Sequence, residues 1–199
     1  MRNVEKVSSC RVIKLKVVTS NPGKAKEFIE LGKHYSVKIE IIDLPKLEIQ
    51  SNSLEEIATF SAIDAATRLG TDVVVEDAGL FIEALNGFPG PYSSYVYKTL
   101  GVKGVLKLME GINNRYAYFK SVITYFNPKD QVLKVFIGVV KGRISLEAKG
   151  TKGFGFDPIF IPEGYDRTFA ELGVNIKNMI SHRSQAFKKL IDWLRSVRR

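Results

Sequence analysis

The sequence predicts a mixed α/β sheet flanked by helices. Three observations carry this expectation. The first eighty residues switch between short apolar or alternating runs and runs with helical spacing. The middle of the chain holds consecutive alternating runs with no helical pattern between them. The last twenty residues read as one amphipathic helix. A β-α-β-α-β order, then a meander, then a helix, is the pattern of a sheet that is part parallel and part antiparallel.

The elements follow in order. "LKVVTS" (15–20) reads as a short buried strand, and "PGKAKEFIELGKHY" (22–35) as a helix with Pro22 in its first turn. "VKIEIIDL" (37–44) alternates as a second strand, and "PKLEIQSNS" (45–53) is a connecting loop. Ser53 and Glu56 have capping-box spacing ahead of a helix whose inner stripe is Ile57, Phe60, Ser61 and Ala65, ended by Gly70. "DVVVEDAGLFI" (72–82) is an apolar strand interrupted by two acids and a glycine, and "NGFPGPYSSYVY" (86–97) reads as a rigid turn. "VKGVLKLMEG" (102–111) is a helix closed by Gly111. "YAYFKSVITYF" (116–126), "QVLKVFIGVV" (131–140) and "GRISLEA" (142–148) read as three meander strands, with "NPKD" and "KG" as turns. A Gly-rich stretch, "GTKGFGFDPIFIPEGY" (150–165), leads into a further short strand. The last helix has Ser181 as its cap and Phe187, Leu190, Ile191, Leu194 and Val197 as its face.

A chain of 199 residues with 45% hydrophobic and 26% charged residues has globular composition and room for one domain or two closely packed lobes. No apolar run approaches the roughly 18 residues of a membrane span. The basic start, "MRNVEKVSSCRVIKL", lacks a continuous apolar stretch, so no secretory signal is read there and a cytoplasmic protein is expected. The single cysteine, Cys10, excludes an internal disulfide and a cysteine metal cluster. The net charge of +9 is carried by the two ends. Residues 1–16 hold five Lys/Arg against Glu5, residues 180–199 hold six against Asp192, and the body between is neutral. A neutral body argues against a long nucleic-acid groove, but leaves room for a small anionic ligand held by a few placed cations. The organisation expected is a basic N-terminal extension, 1–14, and one domain, 15–199.

Candidate chemistry begins at "TSNPGK". A helix that follows a strand points unpaired N–H groups and a partial positive charge outward, and anions bind there. Thr19, Ser20 and Asn21 add short polar side chains, Pro22 and Gly23 make the turn, and Lys24 adds a full charge. An ordinary turn with a surface lysine would read the same. It is not a Walker loop: the leading Gly is missing, and Ala25 stands where a Ser or Thr would meet magnesium. Glu76 and Asp77 lie within an apolar run, near the carboxyl end of a strand where α/β proteins bind ligands. As neighbours in a strand they face opposite sides and so have different jobs, unless the strand simply leaves the core there. Glu48 alone is an unremarkable loop acid. Phe154 in "KGTKGFGFDPIF" is placed to stack on a nucleobase, or to be a core aromatic of a closing loop. Lys177, His182 and Arg183 surround a helix cap. His182 and Arg183 oppose the helix dipole there, which favours a ligand-facing role over that of exposed cations.

Together, "TSNPGK" (19–24), "EDAGLFIEALNGFPGPYSSYV" (76–96), "GFGFDPIF" (153–160) and "KNMISHR" (177–183) resemble the inosine triphosphate pyrophosphatase family, also called HAM1-like, and its archaeal branch in particular. The resemblance runs from about Leu15 to Leu194. It implies two lobes sharing a long mixed sheet, a nucleotide cleft between them, and a homodimer. It implies Mg²⁺-dependent hydrolysis of ITP, dITP and XTP to the monophosphate and pyrophosphate. By the same resemblance, Thr19 to Lys24 hold the triphosphate, Glu48 and Asp77 hold the metal, and Asp77 is also the general base. Phe154, Gly155, Phe156 and Asp157 stack on and read the base, and Lys177, His182 and Arg183 make further nucleotide contacts. Ala78 replaces a serine common in the family, so only its backbone N–H can serve. Ile176 replaces a usual glutamate near the base pocket. A related pyrophosphatase with another base preference, and a basic nucleic-acid-binding module, stand as alternatives.

Overall fold

The computed structural model describes residues 13–197. Cys10 and the expected extension as far as residue 12 lie outside the described residues. Ile13 is already buried, and Lys14 opens the first strand.

One seven-stranded sheet organises the chain. Its strands are β1 (Lys14–Val18), β2 (Lys38–Ile42), β3 (Val73–Ile82), β4 (Pro89–Gly90), β5 (Tyr116–Asn127), β6 (Val132–Ile144) and β7 (Phe160–Pro162). The order is β2-β1-β3-β5-β6-β7, with β4 paired to β3. β2, β1 and β3 are parallel, joined by α1 (Pro22–His34) and α2 (Leu54–Leu69); β3, β5, β6 and β7 are antiparallel. Register creates the opening. β1 ends at Val18, opposite Ile42 at the end of β2 and Val75 in β3. β3 continues to Ile82, paired on that side only with the short β4. Glu76 and Asp77 therefore lie just beyond the carboxyl ends of both neighbours, where α/β sheets leave a crevice.

The alternation of β3 divides the cores. Val74 faces Leu15, Val17, α1 and the last helix, α7 (His182–Val197), through Phe28, Leu31, Phe187, Leu190 and Ile191. Val73 and Val75 face the other way, onto Ala62, Ala65 and Ala66 of α2. Farther along, Leu80 and Ile82 join a separate core with Phe119, Phe156, Phe160 and Phe169. That core is closed by α3 (Ser93–Thr99), α4 (Gly101–Leu108), α5 (Phe169–Leu172) and α6 (Val174–Ile180).

Several local expectations change. The runs 131–140 and 142–148 are not two strands with a turn at "KG"; β6 crosses that dipeptide unbroken. A Cβ at Gly142 would stand 2.2 Å from the Ile161 carbonyl oxygen, so the glycine admits β7 rather than making a turn. The stretch 86–97 is not all turn, because β4 and most of α3 fall in it. Ser93 fixes its geometry, accepting from the Leu80 N–H at 2.8 Å and donating to the Gly90 carbonyl at 2.7 Å. Ser53 caps α2 through the Glu56 N–H, but the Glu56 carboxylate accepts from Ser51 instead of closing the box. The full capping box is at Thr168 and Glu171. Phe60 is exposed, and Ala58 and Ala62 take its place in the stripe. Val197 is exposed too, past the end of the buried face of α7.

Candidate functional site

The crevice beyond β1 and β2 is an open pocket of about 230 Å³, lined by Glu48, Ile49, Gln50, Ser51, Ile57, Asp77, Pro91 and Tyr92. A larger, shallower hollow of about 490 Å³ beside Lys98 and Lys103 has no carboxylate in its lining. Asp77 and Glu48, from a strand and a distant loop, meet in the smaller pocket. Burial, together with the negative charges of Glu76 and Glu48, raises the pKa of Asp77 despite Lys24 and Lys46. One Asp77 oxygen accepts from the Ala78 N–H at 3.0 Å. The backbone donor expected to serve in place of the missing serine hydroxyl is thus engaged within the protein.

Glu76 points to the opposite face, as alternation requires. It is buried and accepts from the Ser121 hydroxyl at 2.8 Å. Lys24 lies at 2.9 Å and Arg183 at 2.9 Å from its two oxygens. Burial opposes its ionisation, but Arg183 and Lys24 outweigh that and hold its pKa far below the usual carboxylate range. Arg183 also pairs with Glu27, Glu27 with Lys177 at 2.7 Å, and Lys177 with Asp157 at 2.6 Å. An unbroken row of alternating charges thus runs from Lys24 through Glu76, Arg183, Glu27 and Lys177 to Asp157. Lys24 stands at the junction of the two faces, with its ammonium 4.0 Å from Asp77.

The "TSNPGK" loop is capped from within. The Asn21 side-chain oxygen accepts from the Gly23 and Lys24 N–H groups at 2.9 and 3.1 Å, Thr19 accepts from the Asn21 N–H at 3.2 Å, and Pro22 has no N–H. The outward donors expected at this helix start are satisfied by Asn21. The charge the loop brings to the crevice is Lys24, while Ser20 is exposed.

Phe154 lies against this loop. A Cβ at Gly23 would stand 2.7 Å from its ring, and Lys177 is 4.6 Å from the ring centre. Phe156 is different: it is buried in the distal core, edge-on to Tyr97 at 5.5 Å, so its ring is not available to stack on a base. Gly155 is left-handed, which turns Phe154 and Phe156 apart. Asp157 is buried, accepting from the Phe154 N–H at 2.9 Å as well as from Lys177.

Lys177, His182 and Arg183 are all buried, not exposed cations. Both terminal nitrogens of Arg183 are committed to carboxylates, so the expectation that they reach a base does not describe this state. Arg183 Nε and His182 Nδ1 are buried without a hydrogen-bond partner. Burial, then Arg183 and Lys177, push the pKa of His182 well below the usual imidazole value, so it is a neutral ring, stacked on Phe119 at 4.8 Å. The conflict of His182 with the α7 dipole disappears, and that of Arg183 is offset by its two acids.

Glu27 was missed in the sequence. Its signal was an acid inside the apolar stripe of α1, next to Phe28. Lys46 was missed as well, with only its nearness to Glu48 to mark it.

A parallel-to-antiparallel sheet with two carboxylates and a lysine in its crevice defines an α/β protein with a charged cleft at the switch of its sheet. The chain belongs to the Ham1 family, whose profile matches residues 15–193. A dITP/XTP pyrophosphatase of Methanopyrus kandleri is 50% identical over 184 residues, 92% of this chain and 97% of that protein. One of Thermococcus kodakarensis is 49% identical over 183 residues, 92% of this chain and 98% of that protein. The structure of a HAM1 protein from Coxiella burnetii superposes with a TM-score of 0.81 at 32% identity, covering 93% of this chain and all of that one.

Proposed function

We propose that the protein hydrolyses non-canonical purine nucleoside triphosphates (dITP, ITP and XTP) to the monophosphate and pyrophosphate, removing them from the nucleotide pool. The observation that carries this is the meeting of Asp77, Glu48 and Lys24 beyond the ends of the parallel strands, in a chain half-identical to dITP/XTP pyrophosphatases.

Asp77 is the general base in this reading: desolvation keeps its carboxylate basic, and it faces the pocket where a water can lie. Glu48 and Asp77 would hold Mg²⁺, which suits two hard oxygen donors and itself keeps several waters. The fit rests on the chemistry of that pair: burial first, then the negative charges of Glu76 and Glu48, raise Asp77, and a dication between Asp77 and Glu48 would relieve part of that cost. Bound magnesium supplies charge neutralisation at the phosphates. Lys24 adds a cation beside Asp77, and Asn21 orders the loop that carries it. On the other face, Phe154 offers an aromatic surface, and His182 Nδ1 and Arg183 Nε are unspent polar atoms. As N–H groups these match the 6-oxo oxygen of hypoxanthine and xanthine, and meet the amino group of adenine donor to donor. Asp157 and Lys177 hold the loop that carries Phe154. A cytoplasmic homodimer belongs to the same proposal. Exposed Tyr95 and Tyr97 on α3 support an interface, and no described helix is long and apolar enough to cross a membrane.

The test is a panel of nucleoside triphosphates with Mg²⁺, scoring pyrophosphate against orthophosphate. Pyrophosphate from XTP and dITP, little from ATP, and loss of activity with chelator are expected. Orthophosphate release would refute the reading.

A further inference from the structure

Lys46 has no part in the scheme above, yet its setting differs from that of the surface lysines. Its side chain is 10% exposed, while its partner Glu48, at 3.0 Å, is 59% exposed. Peripheral ion pairs are open on both sides: Lys149 and Glu147 are 54% and 71% exposed, Lys188 and Asp192 59% and 53%. A lysine often lays its stem on apolar surface and frees its head. Here the head is delivered to Glu48, which lines the crevice. Topology puts it there, since Lys46 follows the carboxyl end of β2 as Lys24 follows that of β1. Lys24 and Lys98 also act on Glu48, from farther off than Lys46. Lys46 acts on Asp77 as well, next after Lys24. Lys24 is largely cancelled by the buried Glu76 at 2.9 Å. Lys46 depends on Glu48: once Glu48 turns to another cation, this largely buried lysine keeps no ion-pair partner within contact, and Asp77 acts on it only from farther off.

We propose that Lys46 is a second cation of the phosphate site, exchanging Glu48 for the two phosphates that leave as pyrophosphate. This rests on the reaction proposed above. A triphosphate brings about four negative charges, more than Lys24 beside its own counter-ion can balance. Lys46 lies by Glu48, the exposed carboxylate of the pocket lining, so it meets the tail of the chain of phosphates rather than the nucleoside.

The test compares wild type, Lys46→Met and Lys46→Arg. Methionine keeps an apolar stem of similar reach and removes the charge. Inhibition by inorganic pyrophosphate and by inosine monophosphate is measured with XTP as substrate. In Lys46→Met the inhibition constant of pyrophosphate and the KM for XTP should rise about tenfold or more, the scale of a lost charge-assisted contact. Inosine monophosphate, lacking the tail, should change by no more than about twofold on that scale, and Lys46→Arg should recover most of the loss. An unchanged pyrophosphate constant overturns the proposal. So does an equal rise for both inhibitors, which would mark a structural ion pair holding the loop. Should wild type release orthophosphate instead, the reaction assignment fails. Calorimetric titration of the same proteins with pyrophosphate still decides whether Lys46 binds it.

Discussion

Exchanging Asp77 for Asn keeps the shape of the side chain and removes a carboxylate that burial has made more basic. We expect kcat to fall by at least ~10²-fold, as for loss of a general base, with folding intact by circular dichroism. Near-normal turnover would remove Asp77 from its role. Arg183 is a different kind of residue, because truncating it strands Glu27 and Glu76 in the interior. Arg183→Ala should cost roughly 3–5 kcal/mol in urea unfolding. The double variant Arg183→Met, Glu76→Gln should lose less than the sum of its singles, since the second change removes a charge the first left unpaired. A strictly additive pair would argue against a shared interaction. The contrast between Glu76 and Asp77 was legible in the sequence, since strand alternation alone sends adjacent acids to opposite faces. What each acid meets there was not. Lys24, Arg183 and Ser121 are far from them in the chain, and only the fold brings them together.

At the scale of elements, the parallel half was legible because each strand and helix carries its own period and its own cap. Asn21, Ser53 and Ser181 all cap helices as their residue types suggest. The antiparallel half was harder to read. A glycine that opens a turn and one that admits a neighbouring backbone look alike in sequence, and Gly142 is the second kind. Gly142→Ala should therefore cost ~1–3 kcal/mol through forced separation of β6 and β7, seen as a lower urea midpoint. A neutral change would mean that β7 yields easily. The short helices α5 and α6 escaped notice because neither is long enough to show a period. The sign that was present was the capping box of Thr168 and Glu171. Thr168→Ala should lose about 1 kcal/mol, the usual worth of such a cap.

For the whole molecule, buried titratable groups tie stability to pH. His182 stays neutral in the folded protein, whereas an unfolded chain protonates it below about pH 6.5. The unfolded state then binds more protons, so stability should fall as pH drops from 7.5 to 5.5, by at most ~1.4 kcal/mol per unit for this one group. His182→Asn should flatten that slope in urea titrations at the two pH values; an unaltered slope would assign it to other groups. Glu27 and Glu76 act lower. Their folded pKa values are depressed, so their contribution is complete above the unfolded value of about 4.3 and is lost as acid carries the pH down through the folded values. The neutral body foreseen from charge counting agrees with this interior, where the central cations are matched by carboxylates rather than spread along a groove.

The alternating row from Lys24 to Asp157 also bears on how such a sequence can drift. Three cations and three carboxylates, joined end to end, balance one another. Any single neutral replacement leaves an odd charge in the interior, at a penalty comparable to much of a domain's net stability. Viable change along this row should come in linked pairs, an acid and a base together, so that the two halves of the molecule are held to a common history.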